Sequence, residues 1–335
     1  MNRALRLPSP VPSGPGSLRV GVVIPAHDEA EFIAGVVRGI PPWVSAIFVV
    51  DDASRDDTAA RAASTGDPRV TVLRHAENRG VGGAMRTGFE ACLDHDLDVI
   101  VKMDGDGQMD PAALPALLAP LAAGTADMVK GNRYANRRTL RTMPFRRAVG
   151  NAGLSFLVKA ASGYWDQLDP ANGYLALRAH ALREINLDRL ARDFYFESGL
   201  LVELGMCRAV VKSVPTTALY GSERSDLSEL RVLHTFPPRL LKGLLRRVLR
   251  RYFLDDFSAV SIFLLLGLPL LAFGFIFGIL AWWHFWRVGQ PATAGTVMLA
   301  ALPFLLGFEL LLQATVLDVQ GVPRTPISPP LGSAQ

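Results

Sequence analysis

Apolar positions follow two different regimes along the chain. From Leu18 to about residue 230 they come as short runs alternating with helical spacings. Val20-Gly21-Val22-Val23-Ile24 is a buried-strand run ending at Pro25. Phe32, Ile33, Val36, Val37 and Ile40 recur at three and four residues, which predicts a helix over 29–40. Residues 46–50 form a second strand run, closed by Asp51-Asp52. Helix is predicted over 58–64, strand over 70–73, helix over 81–93, and a fourth strand over 99–103 that ends at Asp104. Such alternation implies crossover units and an α/β, Rossmann-like, mostly parallel sheet with flanking helices. Strands at 128–130 and 209–214 and a helix over 146–161 continue the domain, which spans 19–230. In such sheets ligands bind at the carboxyl ends of the strands, where Pro25, Asp51, Asp52 and Asp104 fall.

The second regime starts at Ser258. Residues 258–281 carry no charge, and 292–317 form a second apolar stretch interrupted only by Glu309. At ~1.5 Å per residue each exceeds a ~30 Å hydrocarbon core, so a transmembrane hairpin is predicted over 258–318. Trp282, Trp283 and Trp286 follow the first span as an interfacial belt. Glu309 is costly at membrane depth. It either pairs with another subunit or sits near the cytoplasmic end of a long span, and the span's length favours the second. The hairpin also offers a surface for a homo-oligomer.

Charge sharpens this picture. The chain has 35 basic and 31 acidic residues, and six of the basic ones, with no acid, lie between Arg239 and Arg251. Arg239, Lys242, Arg246 and Arg250 recur at helical spacing among leucines. Segment 231–257 therefore reads as a basic amphipathic juxtamembrane helix suited to anionic membrane lipids. An ordinary solvated helix with topology-setting charges is the plainer alternative. One local basic patch argues against a nucleic-acid partner. By the positive-inside rule it places the large domain and both termini in the cytoplasm of a bacterial inner or plasma membrane. Two cysteines at no metal spacing suit a reducing compartment. Residues 1–18 lack the apolar core of a secretory signal and, like 319–335, read as a flexible tail.

Four strand-end features carry chemistry. Pro25-Ala26-His27-Asp28-Glu29 is weak by itself. Asp51 and Asp52 crowd two like charges, which suits donors from a ligand, with a helix N-cap as the alternative for one of them. Asn78-Arg79-Gly80-Val81-Gly82-Gly83 opens a helix, but Met85 stands where a dinucleotide fingerprint needs glycine. Tight packing and ligand contact are both open there. Asp104-Gly105-Asp106-Gly107-Gln108 is the strongest: two carboxylates at a buried strand's end suit Mg²⁺ or Mn²⁺ bridging a substrate phosphate.

In this order the motifs resemble family 2 glycosyltransferases of the GT-A fold. Gly131-Asn132-Arg133, Asp169-Pro170-Ala171-Asn172-Gly173-Tyr174 and the hairpin narrow the resemblance to polyprenyl-phosphate glycosyltransferases, the group of dolichyl-phosphate mannose synthase and its undecaprenyl-phosphate relatives, over roughly 19 to 318. The resemblance implies donor-nucleotide contacts at Pro25, Ala26, His27, Glu29, Asp51, Asp52, Asp104 and Gly105, and a metal at Asp106 and Gln108. It implies catalytic roles for Asp104, Asp106 and Arg133, and acceptor-phosphate contacts at Arg147 (Arg146 in an alternative register) and Asn151. The implied reaction is inverting, metal-dependent sugar transfer from GDP-mannose or a UDP-hexose to polyprenyl phosphate. Tyr220 and Asp226 replace an arginine and a lysine of the family's later loop, where Arg224 offers a substitute charge. Glu197 either lines the sugar pocket or is a helix-start charge, the second being favoured. Transfer to another glycan or polymer, and non-catalytic binding of a sugar nucleotide, are the competing functions. A two-span hairpin and the lack of Gln-x-x-Arg-Trp weigh against a processive synthase.

Overall fold

The structure is a computed structural model that describes residues 18–135, 145–170, 172–216 and 229–329. The chain forms two units, Met1–Leu244 with Pro323–Gln335, and Leu245–Val322.

The first unit is built on β1 (Val20–Ala26), α1 (Ile33–Gly39), β2 (Ala46–Asp51), α2 (Thr58–Ala63), β3 (Val70–Arg74), α3 (Val81–Asp94), β4 (Val99–Lys102) and α4 (Leu114–Ala122). It continues with β5 (Met128–Asn132), α5 (Phe145–Ser162), β6 (Leu175–Arg178), α6 (Ala179–Arg183), α7 (Phe196–Met206), β7 (Val211–Pro215) and the first turns of α8 (Glu229–Leu249). The seven strands lie in the order β3-β2-β1-β4-β6-β5-β7. All pairings are parallel except those of β6, which runs antiparallel to both β4 and β5. Four residues of Leu-Ala-Leu-Arg are too few for periodicity to register, so β6 is a strand that only its neighbours define.

Both faces of the sheet are covered, so its inner strands read as continuous apolar runs. Alternation still sorts the side chains. Val23 and Ile100 join the core that includes Phe89, Phe196 and Leu200. Val22, Ile24, Val99 and Val101 join the core with Ile33, Leu117 and Leu121.

The glycine-rich turn before α3 serves packing. Gly80 has φ +76°, and the Gly82 N–H donates to the Arg192 carbonyl at 2.8 Å. A methyl on Gly82 would stand 1.9 Å from the Ala191 carbonyl oxygen. Gly82→Ala must therefore displace backbone, and we expect a loss of about 1–3 kcal/mol, read as a melting point lower by several degrees. Gly35→Ala in α1 is the control, since its added methyl meets nothing within 4 Å; it should melt at or slightly above the parent temperature.

Residues 323–329 do not trail away, as a flexible tail would. The backbone N–H groups of Ile327 and Ser328 donate to fully buried Asp127 at 3.0 and 2.8 Å, beside a third donor, Val210 N–H, at 2.7 Å. Composition shows the polar residues but not the buried carboxylate that holds them.

Within the second unit, a π-helical turn at Arg250–Leu254 leads to α9 (Ala259–Val288) and α10 (Ala294–Gln320). Both helices outrun the spans read from the sequence, because α9 continues through the tryptophans to Val288 and is closed by Gly289 at φ +68°. They are long and apolar enough to cross a membrane. The hairpin seam is made of small residues seven apart: Gly267 and Gly274 on α9, Ala300, Gly307 and Ala314 on α10. A methyl on Gly274 would stand 2.5 Å from the Phe304 backbone nitrogen, and one on Gly307 2.4 Å from that of Leu271. Glycine thus permits backbone contact, as in membrane helix pairs. At the end where α9 begins and α10 finishes, buried Arg247 pairs with Asp318 at 2.8 and 2.9 Å. The Tyr252 hydroxyl donates to the same carboxylate.

The basic segment is only partly free. In the first unit Arg239 pairs with Asp193 at 2.7 Å, while Phe236 and Leu240 join the core. Arg247 is buried against Asp318. Leu241, Leu245 and Leu249 are exposed, as are Lys242 and Arg250, the latter 3.5 Å from Asp255, while Arg246 is half-buried.

Candidate active site

Strand order places the site. β2 and β3 continue from β1 in one direction and β4 lies on the other side, so the topological switch falls between β1 and β4. The carboxyl ends of β1, β2 and β4 meet there. Asp52 N–H donates to the Ala26 carbonyl at 2.8 Å, and Met103 N–H to Val23 at 3.0 Å. Gly105 fits against β1, for a methyl there would touch Ala26 Cβ and Glu29 Cγ at 3.4 Å and Pro25 O at 3.5 Å. Four of the expected nucleotide-side residues, Pro25, Ala26, Glu29 and Gly105, are thus brought together. Pro25, Ala26 and Gly105 are buried, whereas His27 is exposed and Glu29 half-buried.

The loops after β1 and β2 are tied to each other. Asp28 N–H donates to Ser54 Oγ at 3.0 Å, Glu29 N–H to Thr58 Oγ1 at 2.8 Å, and Arg55 N–H to Asp28 Oδ1 at 2.7 Å. His27 Nδ1 bonds the Asp52 carbonyl at 2.8 Å. Asp28 and Ala53 hold φ of +57° and +58°, a cost for residues with side chains that these bonds offset.

Asp51 and Asp52 are both buried, and the protein supplies part of the donor set they need, leaving Asp51 Oδ2 without a hydrogen-bond donor. Asp51 accepts Ser54 N–H at 3.0 Å and pairs with Arg74 at 3.0 Å. Asp52 Oδ1 accepts from His75 Nδ1 at 2.6 Å and from Arg79 N–H at 2.8 Å, and His75 Nε2 reaches Thr87 Oγ1 at 2.9 Å. The crowded carboxylates therefore anchor the Asn78-Arg79 turn beside His27.

The Asp-Gly-Asp loop is held by a lysine that strand periodicity hides. Lys102 closes β4 with 1% exposure. Its Nζ lies 2.5 Å from Asp104 Oδ1 and 3.3 Å from Glu197 Oε1 at the start of α7. Burial pulls the Lys102 ammonium down, but Asp104 and Glu197 outweigh it and hold its pKa above the usual lysine value. Gly173 covers this pair: a methyl there would stand 2.6 Å from Lys102 Nζ and 3.1 Å from Asp104 Oδ2. Asp106 Oδ1 accepts Gln108 N–H at 2.9 Å, with Gly107 at φ +74° between them.

After β5, Arg133 forms a fork on Asp169, with Nε at 2.8 Å from Oδ2 and a terminal nitrogen at 3.0 Å from Oδ1. The Arg133 side chain stays about one-third exposed (37%) while Asp169 is buried. Asn151 Nδ2 donates to Tyr134 Oη at 3.4 Å, which brings α5 to the turn after β5. Lys130 donates from Nζ to the Asn172 carbonyl at 2.7 Å, and burial pulls its amine down to about 8. The Arg147 side chain and Arg224 lie outside the described residues.

Lys102, Lys130 and His75 are absent from the residues singled out by motif, and Asp169 stands in a quoted motif without a role. The lysines had a signal, since a charge inside Val-Ile-Val-Lys-Met or Met-Val-Lys-Gly demands a buried partner. Two of their partners, Glu197 for Lys102 and the Asn172 carbonyl for Lys130, come from segments far along the chain.

The comparisons with known proteins agree with this geometry. Residues 21–185 match the family described as Glycosyl transferase family 2. The undecaprenyl-phosphate mannosyltransferase of Micrococcus luteus is 34% identical over 206 residues, covering 60% of this chain and 83% of that protein. The chain belongs to glycosyl transferase family 2. It is also similar to the UDP-N-acetylglucosamine–dolichyl-phosphate N-acetylglucosaminyltransferase of Methanococcus voltae, 27% identical over 59% of this chain and 85% of that protein. Among solved structures, glucosyl-3-phosphoglycerate synthase from Mycobacterium tuberculosis, in complex with Mn²⁺, UDP and phosphoglyceric acid, superposes with a TM-score of 0.51 at 21% identity. That likeness covers 69% of this chain and 78% of that one. It establishes the GT-A fold. The family makes the protein a glycosyltransferase, with relatives named for sugar transfer to prenyl phosphates.

The donor set at the loop fits an oxygen-seeking divalent ion. No group of three or more acidic, histidine or cysteine side chains occurs among the described residues. Mg²⁺, however, is commonly bound by one or two carboxylates, with substrate phosphates completing its shell. Asp104 shares one oxygen with Lys102 and Asp106 one with the Gln108 N–H, and both are carboxylates of the kind such an ion takes.

Proposed function

We propose that this family 2 enzyme transfers a hexose from GDP-mannose or a UDP-sugar to polyprenyl phosphate at a membrane surface, with inversion at the anomeric carbon. The observation that carries the reading is the Asp104-Gly105-Asp106 loop, seated on β1 at the switch point. A second line of support is the hairpin. A core helix of a soluble protein is mostly buried, whereas α9 and α10 expose most of their large apolar side chains, including Leu265, Phe275, Ile276, Leu305 and Phe308.

In this reading Asp106, with Gln108, holds Mg²⁺ or Mn²⁺, which when bound neutralises charge on the departing nucleoside diphosphate. Asp104, aimed by Lys102, meets the donor beside His27 and Glu29. Arg133, kept in place by Asp169, faces the two anionic substrates and lowers their repulsion. Asn151 and Arg147 on α5 receive the acceptor phosphate, with Arg224 on the donor loop. A phosphate monoester loses its second proton near pH 6, so at pH 7 the acceptor is already a nucleophile and needs no dedicated base. The exposed row of Leu241, Leu245 and Leu249 beside Lys242, Arg246 and Arg250 lies on anionic membrane lipid. The large domain and both termini face the cytoplasm.

The test is a panel of GDP- and UDP-sugars, each radiolabelled, given to the purified protein with polyprenyl phosphate and Mg²⁺ or Mn²⁺. Label in a short, mild-acid-labile lipid product is expected. Label in polymer, or donor binding with no turnover, would overturn the reading.

A further inference from the structure

We propose, given the membrane reading of the hairpin, that the outer face of α10 pairs with a second copy of this chain through Glu309 and Gln313. Glu309 lies about 160° around the helix from Gly307, at ~100° per residue, and so points away from the seam with α9. Gln313, one turn on, donates from Nε2 to Glu309 Oε1 at 2.9 Å, and both side chains are exposed. The buried Arg247–Asp318–Tyr252 cluster marks the level where α10 leaves the apolar layer. Glu309 is about 13 Å deeper at ~1.5 Å per residue, close to the middle of a ~30 Å core. A place near the cytoplasmic end, which span length alone favours, is therefore replaced by one near the midplane. There is no water at that depth, and ionisable groups in such segments face a protein interior. α9 does not provide that interior, so another helix does.

The occupant that fits is a second α10. Copies inserted with the same orientation meet at the same level about a two-fold axis. Each then presents an acceptor, Glu309, and a donor with a spare N–H, Gln313, one turn apart, and each donor can reach the partner's Glu309. The flanking exposed residues Leu302, Leu305, Leu306, Leu312 and Val316 are apolar, so the contact closes around one polar quartet. Small polar contacts of this kind drive helix association in lipid.

The experiment is energy transfer between full-length chains, labelled at the N-terminus with donor or acceptor dye and reconstituted in phospholipid vesicles over a range of protein-to-lipid ratios. The parent should associate, Glu309→Leu and Gln313→Leu should weaken association about tenfold, and Glu309→Gln should retain it. Phe275→Leu, on the exposed surface of α9, should leave it unchanged. A parent monomeric at every ratio, or leucine variants associating like the parent, would overturn the pairing. Equal melting points for all four variants exclude misfolding as the cause. Flotation of the same samples separates the two readings: a chain that does not float with lipid overturns the membrane hairpin and this interface with it.

Discussion

Asp106→Ala is expected to lower sugar transfer by roughly a thousandfold while leaving the protein folded. The magnitude follows from charge stabilisation by a bound divalent ion, worth several kcal/mol, at about 1.4 kcal/mol per tenfold. The fold should survive because Asp106 lies on a half-exposed turn outside the apolar clusters. Asp106→Asn separates charge from shape. It keeps an acceptor for the Gln108 N–H but loses the anion that attracts a cation, so it should be nearly as inactive as the alanine variant. The measurement is the initial rate of glycolipid formation with Mg²⁺ or Mn²⁺, alongside thermal melts. Full turnover by Asp106→Ala would remove the ion from that residue.

Lys102→Met should be the most destabilising single change in the site. Removing one partner of a buried ion pair typically costs about 3–5 kcal/mol, a fall of about 10 °C in melting temperature for a domain of this size. Here the lost ammonium leaves two carboxylates, Asp104 and Glu197, in contact with the same vacated position. Adding Glu197→Leu should recover much of the stability by removing the more buried acid. Transfer should stay low in the double variant, because Asp104 still lacks the group that aims it. If the double variant regains both stability and full activity, Lys102 is structural only. If Lys102→Met melts like the parent, the buried cluster is not where the cost lies.

Reading from the sequence succeeded where one segment carries the whole signal. Val20–Ile24 and residues 46–50 are strands because apolar β-branched runs have no other stable place, and Asp104 and Asp106 sit at a strand end whatever surrounds them. It fell short where a residue's role depends on a distant partner. Asp51 and Asp52 called for donors because two buried carboxylates need them, and nothing local shows that His75 and Arg79 supply part of the set. Glu197 is the helix-start charge its position suggested, but its partner, the buried Lys102 of β4, comes to it across about 95 residues of chain.

The same division holds for the protein as a whole. The sequence by itself determined the α/β class, the order of strand-end motifs and the two apolar helices, because each is written in local periodicity and composition. Only the tertiary structure decided which charges are free to act. It engaged Arg239 with Asp193, buried Arg247 against Asp318, forked Arg133 onto Asp169 and turned Glu309 away from the seam. The reason is physical: an isolated buried charge is prohibitively costly, so folding matches charges across long separations, and those matches have no local period to read.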